Sequence, residues 1–225
     1  MTKHLSFGVT ASTTYEPPFL LARKYSTLDH LTKGRIAWNI ATSYLESAAR
    51  NIGLETQIPH DERYEIAEEY LNVTYKLWES SWRDDAAIRD SDRATFTLPG
   101  RVRRIDRIGK HFKVAGPFTN EPSTQRTPFI FQASTSTAGK PFASKHAECM
   151  FLPGMEPHIV RKSADDIRAQ AIGHGRDPTS IKLIVGMLVI VDETDEKHKP
   201  STKNISLMLI WKARWHSSVD GPILT

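Results

Sequence analysis

The strongest constraint on this chain is the order in which two hydrophobic periodicities alternate along it. From Leu5 to Thr10 an apolar run gives way to Ala11-Ser12-Thr13-Thr14, which reads as a buried strand ending in hydroxyls. Glu16-Pro17-Pro18 breaks that strand. Phe19, Ala22, Tyr25, Leu28 and Leu31 then recur at helical spacing, so a helix is predicted over Phe19–Leu31. Lys33-Gly34-Arg35 follows, with Gly34 suited to a helix C′ position. Arg35–Ala41 is a second buried strand, ending in the polar cluster Asn39, Thr42 and Ser43. Pro59 marks the next boundary, and a long helix opens at His60 with Ile66, Tyr70, Val73, Leu77 and Trp78 on its apolar stripe as far as Trp82.

The alternation resumes with a strand at Thr127–Ala133, a small polar run from Ser134 to Gly139, and a helix at Pro141–Glu148. A strand at Cys149–Leu152 comes next, then a helix at Glu156–His174 with Ile159, Ala164, Ile167 and Ala171 inward, then a strand at Ile181–Val191. Repeated βα order predicts an α/β fold with a parallel sheet or barrel. Between Asp84 and Asn120 the pattern is charged, broken by Gly and Pro and weakly periodic, so it reads as an insertion with a short strand pair around His111–Val114. Residues 1–196 read as one domain, a parallel sheet or partial barrel, and residues 197–225 as an atypical tail, whose apolar burst lacks a helix stripe.

Composition excludes several function classes. Arg101, Arg103, Arg104, Arg107 and Lys110 form one dense basic stretch in a chain of net charge +4. No aromatic stacking platform accompanies it, so it reads as a solvated surface and no nucleic-acid partner is expected. No run of eighteen apolar residues is present, so no membrane partner is expected either. The single cysteine, Cys149, leaves no internal disulfide and no multi-cysteine zinc site, and no HExxH pattern occurs. No metal is expected. The N-terminus lacks a secretory pattern, and the expected compartment is a reducing, cytoplasmic one. Cys149 reads as an inert buried thiol, His30 as structural, and Trp78 and Trp82 as core.

Several segments in order carry a family resemblance: TASTTYEPPFLLARKYSTLDHLTKGR, WNIATSYLESAARNIGL, HDERYEIAEEYLNVTYKLWE, GKHFKVAGP, EPSTQRTPFIFQAS, GKPFASKHAE and DDIRAQAIGHGRDP. Over roughly residues 2–196 the chain resembles the bacterial-luciferase-like flavin monooxygenases, in the branch with nitrilotriacetate and dibenzothiophene-sulfone monooxygenases. The resemblance implies a TIM (β/α)8-type barrel, incomplete here: about five βα units, strands 3–7, with two units expected ahead of Met1 and the final units replaced by the tail. It implies FMN in its reduced form and O2 as co-substrate, a small organic substrate, and a separate NAD(P)H:flavin reductase as partner. Two readings stay open. One is an FMN-dependent monooxygenase. The other is an inactive truncated barrel that retains at most weak flavin or anion binding and self-associates, as a homo-oligomer, through its open sheet edges.

Polar residues at strand C-terminal ends are where an α/β barrel builds a phosphate or cofactor site. By residue type alone, Thr10 is either a site hydroxyl or a satisfied strand-end threonine, and Thr42 or Ser43 either lines a site or caps the next helix. The resemblance implies Thr10 near the flavin ring, with Asn39 and Thr42 at the isoalloxazine edge. There an amide can both donate to a carbonyl and accept from a ring N–H. His60 and Tyr64, four apart on one helix face, are implied for the ribityl–phosphate region. Thr135 and Ser136 lie in the loop after FIFQA, where serine and free backbone amides are implied to hold the phosphate at a helix N-terminus. Ser134 stands where the family pattern has glycine; if that position needs positive φ, serine strains the loop. No side chain is assigned as general acid or base.

Overall fold

The computed structural model describes residues 2–134, 136–153, 156–186, 191 and 193–194. In chain order its elements are β1 (Phe7–Ser12), α1 (Pro18–Thr32), β2 (Ile36–Ala41), α2 (Glu46–Asn51), α3 (His60–Tyr75), β3 (Ala87–Asp90), β4 (Thr95–Thr97), β5 (Arg107–Ile108), β6 (Lys113–Val114), β7 (Phe129–Ala133), α4 (Gly139–His146), β8 (Cys149–Leu152), α5 (Pro157–Gly173) and β9 (Lys182–Val185). Two compact units result. The first holds residues 1–43 and 58–185, and the second residues 44–57 and 186–225. In the second unit α2 is held by the Gln57 amide, which donates to Glu46 Oε2 at 2.9 Å.

The first unit is built on one five-stranded sheet, ordered β1-β2-β7-β8-β9, with every neighbouring pair parallel. This is the predicted incomplete α/β barrel: among the described residues the strands do not close. Alternate strand residues face the helices. Ile36, Trp38, Ile40, Ile130, Met150 and Leu152 share one core cluster with Tyr25 of α1, Tyr70 of α3, Phe142 of α4 and Ile167 of α5. Trp38 anchors that cluster. It is fully buried, donates from Nε1 to Ala11 O at 3.1 Å, and packs against Tyr25, Tyr70 and Trp78.

Sequence logic explains the element ends. Pro18 sits at the first turn of α1, where its missing N–H costs nothing. Lys33 closes that helix at φ 55°, and Gly34 continues at φ 81°, the left-handed backbone that glycine tolerates. After Tyr75 the helix widens into a π-helical turn at Lys76–Ser80. Arg126 Nη1 donates there to the carbonyls of Trp78 and Trp82, at 2.9 and 3.2 Å. The insertion forms two small antiparallel pairs, β3–β4 and β5–β6, rather than one. Within its basic stretch, Arg101 pairs with Asp85, Arg104 with Asp106 and Lys110 with Glu65.

Three expectations need correction. The first strand is not buried: Phe7 is 44% and Val9 38% exposed. β1 is the edge of the sheet and its outer side has no strand partner among the described residues. On α5, Ile159 is 48% exposed, while Val160 packs against the core together with buried Ile167 and Ala171. One residue rotates a helix by about 100°, which moves the stripe from Ile159 to Val160. Neither Thr42 nor Ser43 caps the next helix, whose N-cap is Leu45 without a side-chain cap. The tail, and the end of the strand expected to reach Val191, lie outside the described residues.

Candidate functional site

The loops leaving β1, β2 and β7 bring hydroxyls together at the C-terminal end of the sheet. Ser12 Oγ and Ser43 Oγ are 2.8 Å apart. Thr14 donates from Oγ1 to Thr42 O at 2.6 Å, and from its amide to Ser12 Oγ at 3.1 Å. Thr42 thus enters through its carbonyl. Ser43 takes φ 54°, an unusual backbone for a non-glycine residue in this loop.

Thr10 and Asn39 are register partners on β1 and β2, and Asn39 Nδ2 donates to Thr10 Oγ1 at 2.9 Å. Asn39 Oδ1 is buried and accepts no hydrogen bond. A buried acceptor without a donor is costly and rare in a native structure. Asn39 thus spends an amide N–H on Thr10 and leaves its Oδ1 without a donor. Phe131 is its register partner on β7 and stacks on Phe151 at 5.7 Å, so an aromatic surface adjoins the amide.

His60 and Tyr64 come together as predicted, with ring centroids 5.1 Å apart. His60 Nδ1 lies 2.7 Å from Asp61 Oδ1. Tyr64 reaches across to the loop after β7: its hydroxyl is 3.1 Å from Ser134 Oγ, and Ser134 Oγ is 3.4 Å from Ser136 Oγ. Three hydroxyls therefore converge at the start of α4. Thr135 lies outside the described residues.

Two details differ from the expected phosphate loop. Ser134 is not among the described non-glycine residues with positive φ, so the serine fits the loop without that strain. The helix amides are also already used. Gly139 N donates to Ser136 Oγ at 3.0 Å, Lys140 N donates to Ser136 O at 3.0 Å, and Pro141 has no N–H. An anion here would meet hydroxyls and the helix dipole, not free first-turn amides.

Gly139 was not singled out in the sequence, yet the cluster depends on it. A Cβ at this position would lie 1.6 Å from Ser134 Oγ and 2.6 Å from the Tyr64 hydroxyl oxygen. Arg63 was passed over as well, although it adjoins Tyr64. It is 7% exposed, donates from Nη1 to Thr42 O at 3.4 Å, and its Nε is buried without a partner. The HDERY segment contains this arginine, but only the fold shows that it is buried.

An aromatic ladder braces Tyr64 from behind. Phe142 packs edge-on against it at 5.6 Å, and His146 lies 4.9 Å from Phe142. Glu68 Oε2 accepts from His146 Nε2 at 2.8 Å, and Glu68 also pairs with Lys145. The His146 hydrogen bond, with help from Lys145, outweighs partial burial and pulls the Glu68 carboxyl down to about 2. Burial pushes the Cys149 thiol up, which fits an inert core thiol.

Among the described residues, no group of three or more His, Cys, Asp or Glu side chains could hold a metal ion, and no helix is long and apolar enough to cross a membrane.

Known proteins share this architecture. A long-chain alkane monooxygenase of Geobacillus thermodenitrificans is 53% identical over 221 residues, covering 98% of this chain and 50% of that protein. Nitrilotriacetate monooxygenase component A of Aminobacter aminovorans is 35% identical over 206 residues, covering 92% of this chain and 45% of its own length. The crystal structure of a riboflavin lyase with modified FMN and its substrate riboflavin superposes with a TM-score of 0.83 at 36% identity, over 90% of this chain and 45% of the lyase. The chain thus spans about half the length of the curated relatives it matches. The model of the luciferase-like monooxygenases matches residues 1–209, and the chain belongs to that family.

Proposed function

We propose that this chain carries the flavin-binding half of an FMN-dependent monooxygenase that acts on a small organic substrate. The observation that carries this reading is the convergence of Tyr64, Ser134 and Ser136 at the start of α4, against the side of Gly139 where any other residue would carry a Cβ. Asn39 supports it independently, because its buried Oδ1 lacks the donor that a flavin ring N–H would supply.

In this reading Tyr64, Ser134 and Ser136 hold the phosphate end, and His60 lies beside the ribityl chain. Thr10, Asn39 and Thr42 orient the ring against Phe131. Reduced flavin, when bound, supplies oxygen activation and transfer to substrate. The protein binds, orients and excludes water. A separate NAD(P)H:flavin reductase would deliver the reduced flavin, a division of labour in keeping with the word component in the nitrilotriacetate relative's name.

The test is FMN titration of the purified 225-residue chain by flavin fluorescence, followed by substrate oxidation with reductase, NAD(P)H and O2. Saturable binding that Tyr64→Phe and Ser136→Ala each weaken about five- to tenfold supports the reading, each lost hydrogen bond being worth about 1 kcal/mol. A folded chain that binds no FMN refutes it. The second reading, a non-enzymatic flavin or anion binder, draws on the open edge of β1 with its exposed Phe7 and Val9. Weak FMN binding without any substrate oxidation favours that second reading, and tight FMN binding counts against it.

A further inference from the structure

We infer that Arg63 is the fixed counter-charge for the phosphate of the bound flavin mononucleotide, an inference that rests on the flavin reading above. Arg63 lies in the first turn of α3, where its amide donates to Pro59 O at 3.0 Å. Helix N-termini carry partial positive charge and disfavour a cation. Burial disfavours it again, because a guanidinium leaving water without an anion loses solvation that nothing restores. Both costs fall on a residue only 7% exposed.

The surroundings offer no compensation. Among the described residues no carboxylate forms an ion pair with Arg63, and the neighbouring Asp61 is engaged by His60. The guanidinium has five N–H donors. One reaches Thr42 O at the long distance of 3.4 Å, and Nε is buried without a partner. A buried cation with spare donors at a helix start is half of an ion pair.

The phosphate site lacks the other half. Tyr64, Ser134 and Ser136 supply neutral hydroxyls, while the Gly139 and Lys140 amides are taken by Ser136. Lys140 is already paired with Asp166 at 3.5 Å, and the His60 ring is held by Asp61. Arg63 is bound to the loop leaving β2, and Tyr64, the next residue, to the loop leaving its sheet neighbour β7. A phosphate between these loops meets an unpaired guanidinium and three hydroxyls, and charge-assisted bonds are about twice as strong as neutral ones.

A purely structural arginine, tying α3 to Thr42, would act on every ligand alike. The experiment therefore compares FMN with riboflavin, which lacks the phosphate, on the full chain as wild type, Arg63→Gln and Arg63→Lys. Inorganic phosphate is added as competitor. Wild type is expected to bind FMN at least about tenfold more tightly than riboflavin, and Arg63→Gln to weaken FMN about ten- to a hundredfold. Riboflavin affinity should change by less than about threefold, and Arg63→Lys should fall between. Inorganic phosphate should compete with FMN and not with riboflavin.

Equal losses for both flavins overturn the inference, as does a wild-type preference near one. Should Arg63→Gln fail to fold, the wild-type preference, the phosphate competition and Arg63→Lys still decide the matter. Wild-type protein that binds neither flavin overturns the flavin reading itself, and this inference with it. Binding of both flavins equally overturns this inference alone.

Discussion

Replacing Gly139 by alanine tests the packing on which the hydroxyl cluster rests. The new Cβ would fall 1.6 Å from Ser134 Oγ, 2.6 Å from the Tyr64 hydroxyl oxygen and 2.7 Å from Ser134 Cβ. The Ser134 hydroxyl can rotate away and Tyr64 can withdraw its tip. Ser134 Cβ can move only with the loop backbone. At the first position of α4, removing the glycine gains at most the ~0.5–1 kcal/mol of a mid-helix site. Overpacking costs about 1–3 kcal/mol, and losing the Tyr64–Ser134 hydrogen bond about 1 kcal/mol more. The expected net is a destabilisation of about 1–3 kcal/mol, or a fall in Tm of about 2–4 °C per kcal/mol in a chain of this size.

Ser134→Gly in the same chain removes two of the three clashing atoms. The double variant should recover most of the loss, with a coupling of about 1–2 kcal/mol between the two sites in urea melts. A Gly139→Ala chain as stable as wild type, or a loss that Ser134→Gly does not relieve, refutes the packing. The cycle needs no flavin, so it reports on the architecture of the site apart from its ligand.

Glu68→Gln should loosen α3 from α4. The carboxyl titrates at about 2 in the folded chain against 4.5 as a free side chain, so its stabilisation is complete above about pH 4.5 and is lost as pH falls toward 2. With the side chain a third exposed, solvent screening reduces the contribution to about 1–2 kcal/mol. Acid titration of stability should show that loss in wild type, and the variant should lack it between pH 4.5 and 2; identical acid profiles would dismiss the Glu68–His146 tie. Trp38→Ala should cost about 3–5 kcal/mol, enough to unfold many domains, because it empties the centre of the core and leaves Ala11 O without its donor. Circular dichroism melts check this, and a loss below about 1 kcal/mol would mean that Trp38 is not the anchor.

The order of strands and helices was legible from the start, because alternation between apolar runs and helical stripes is a local property of neighbouring residues. So were the burial of Trp78, Trp82 and Cys149, and the pairing of His60 with Tyr64, which one helix face enforces four residues apart. What covers an element is not local. The same apolar run serves a central strand and an edge strand, so Leu5–Thr10 read as buried although β1 has only one strand beside it. Ile159 and Val160 are neighbours in sequence, and only packing against the sheet decides which of them turns inward.

The site divides in the same way. Polar residues at and after strand ends are visible in the letters, and the family resemblance singled out Asn39 and Ser136 among them. The partners that give those residues their chemistry lie far along the chain: Tyr64 meets Ser134 across 70 residues, and Arg63 meets the Thr42 carbonyl across 21. In the letters Arg63 is one charged residue in the run Asp61-Glu62-Arg63, with nothing to set it apart. Tertiary structure alone removed it from water and left its Nε without a partner, and it did so because α3 packs this part of its first turn, and not Asp61 or Glu62, toward the end of β2.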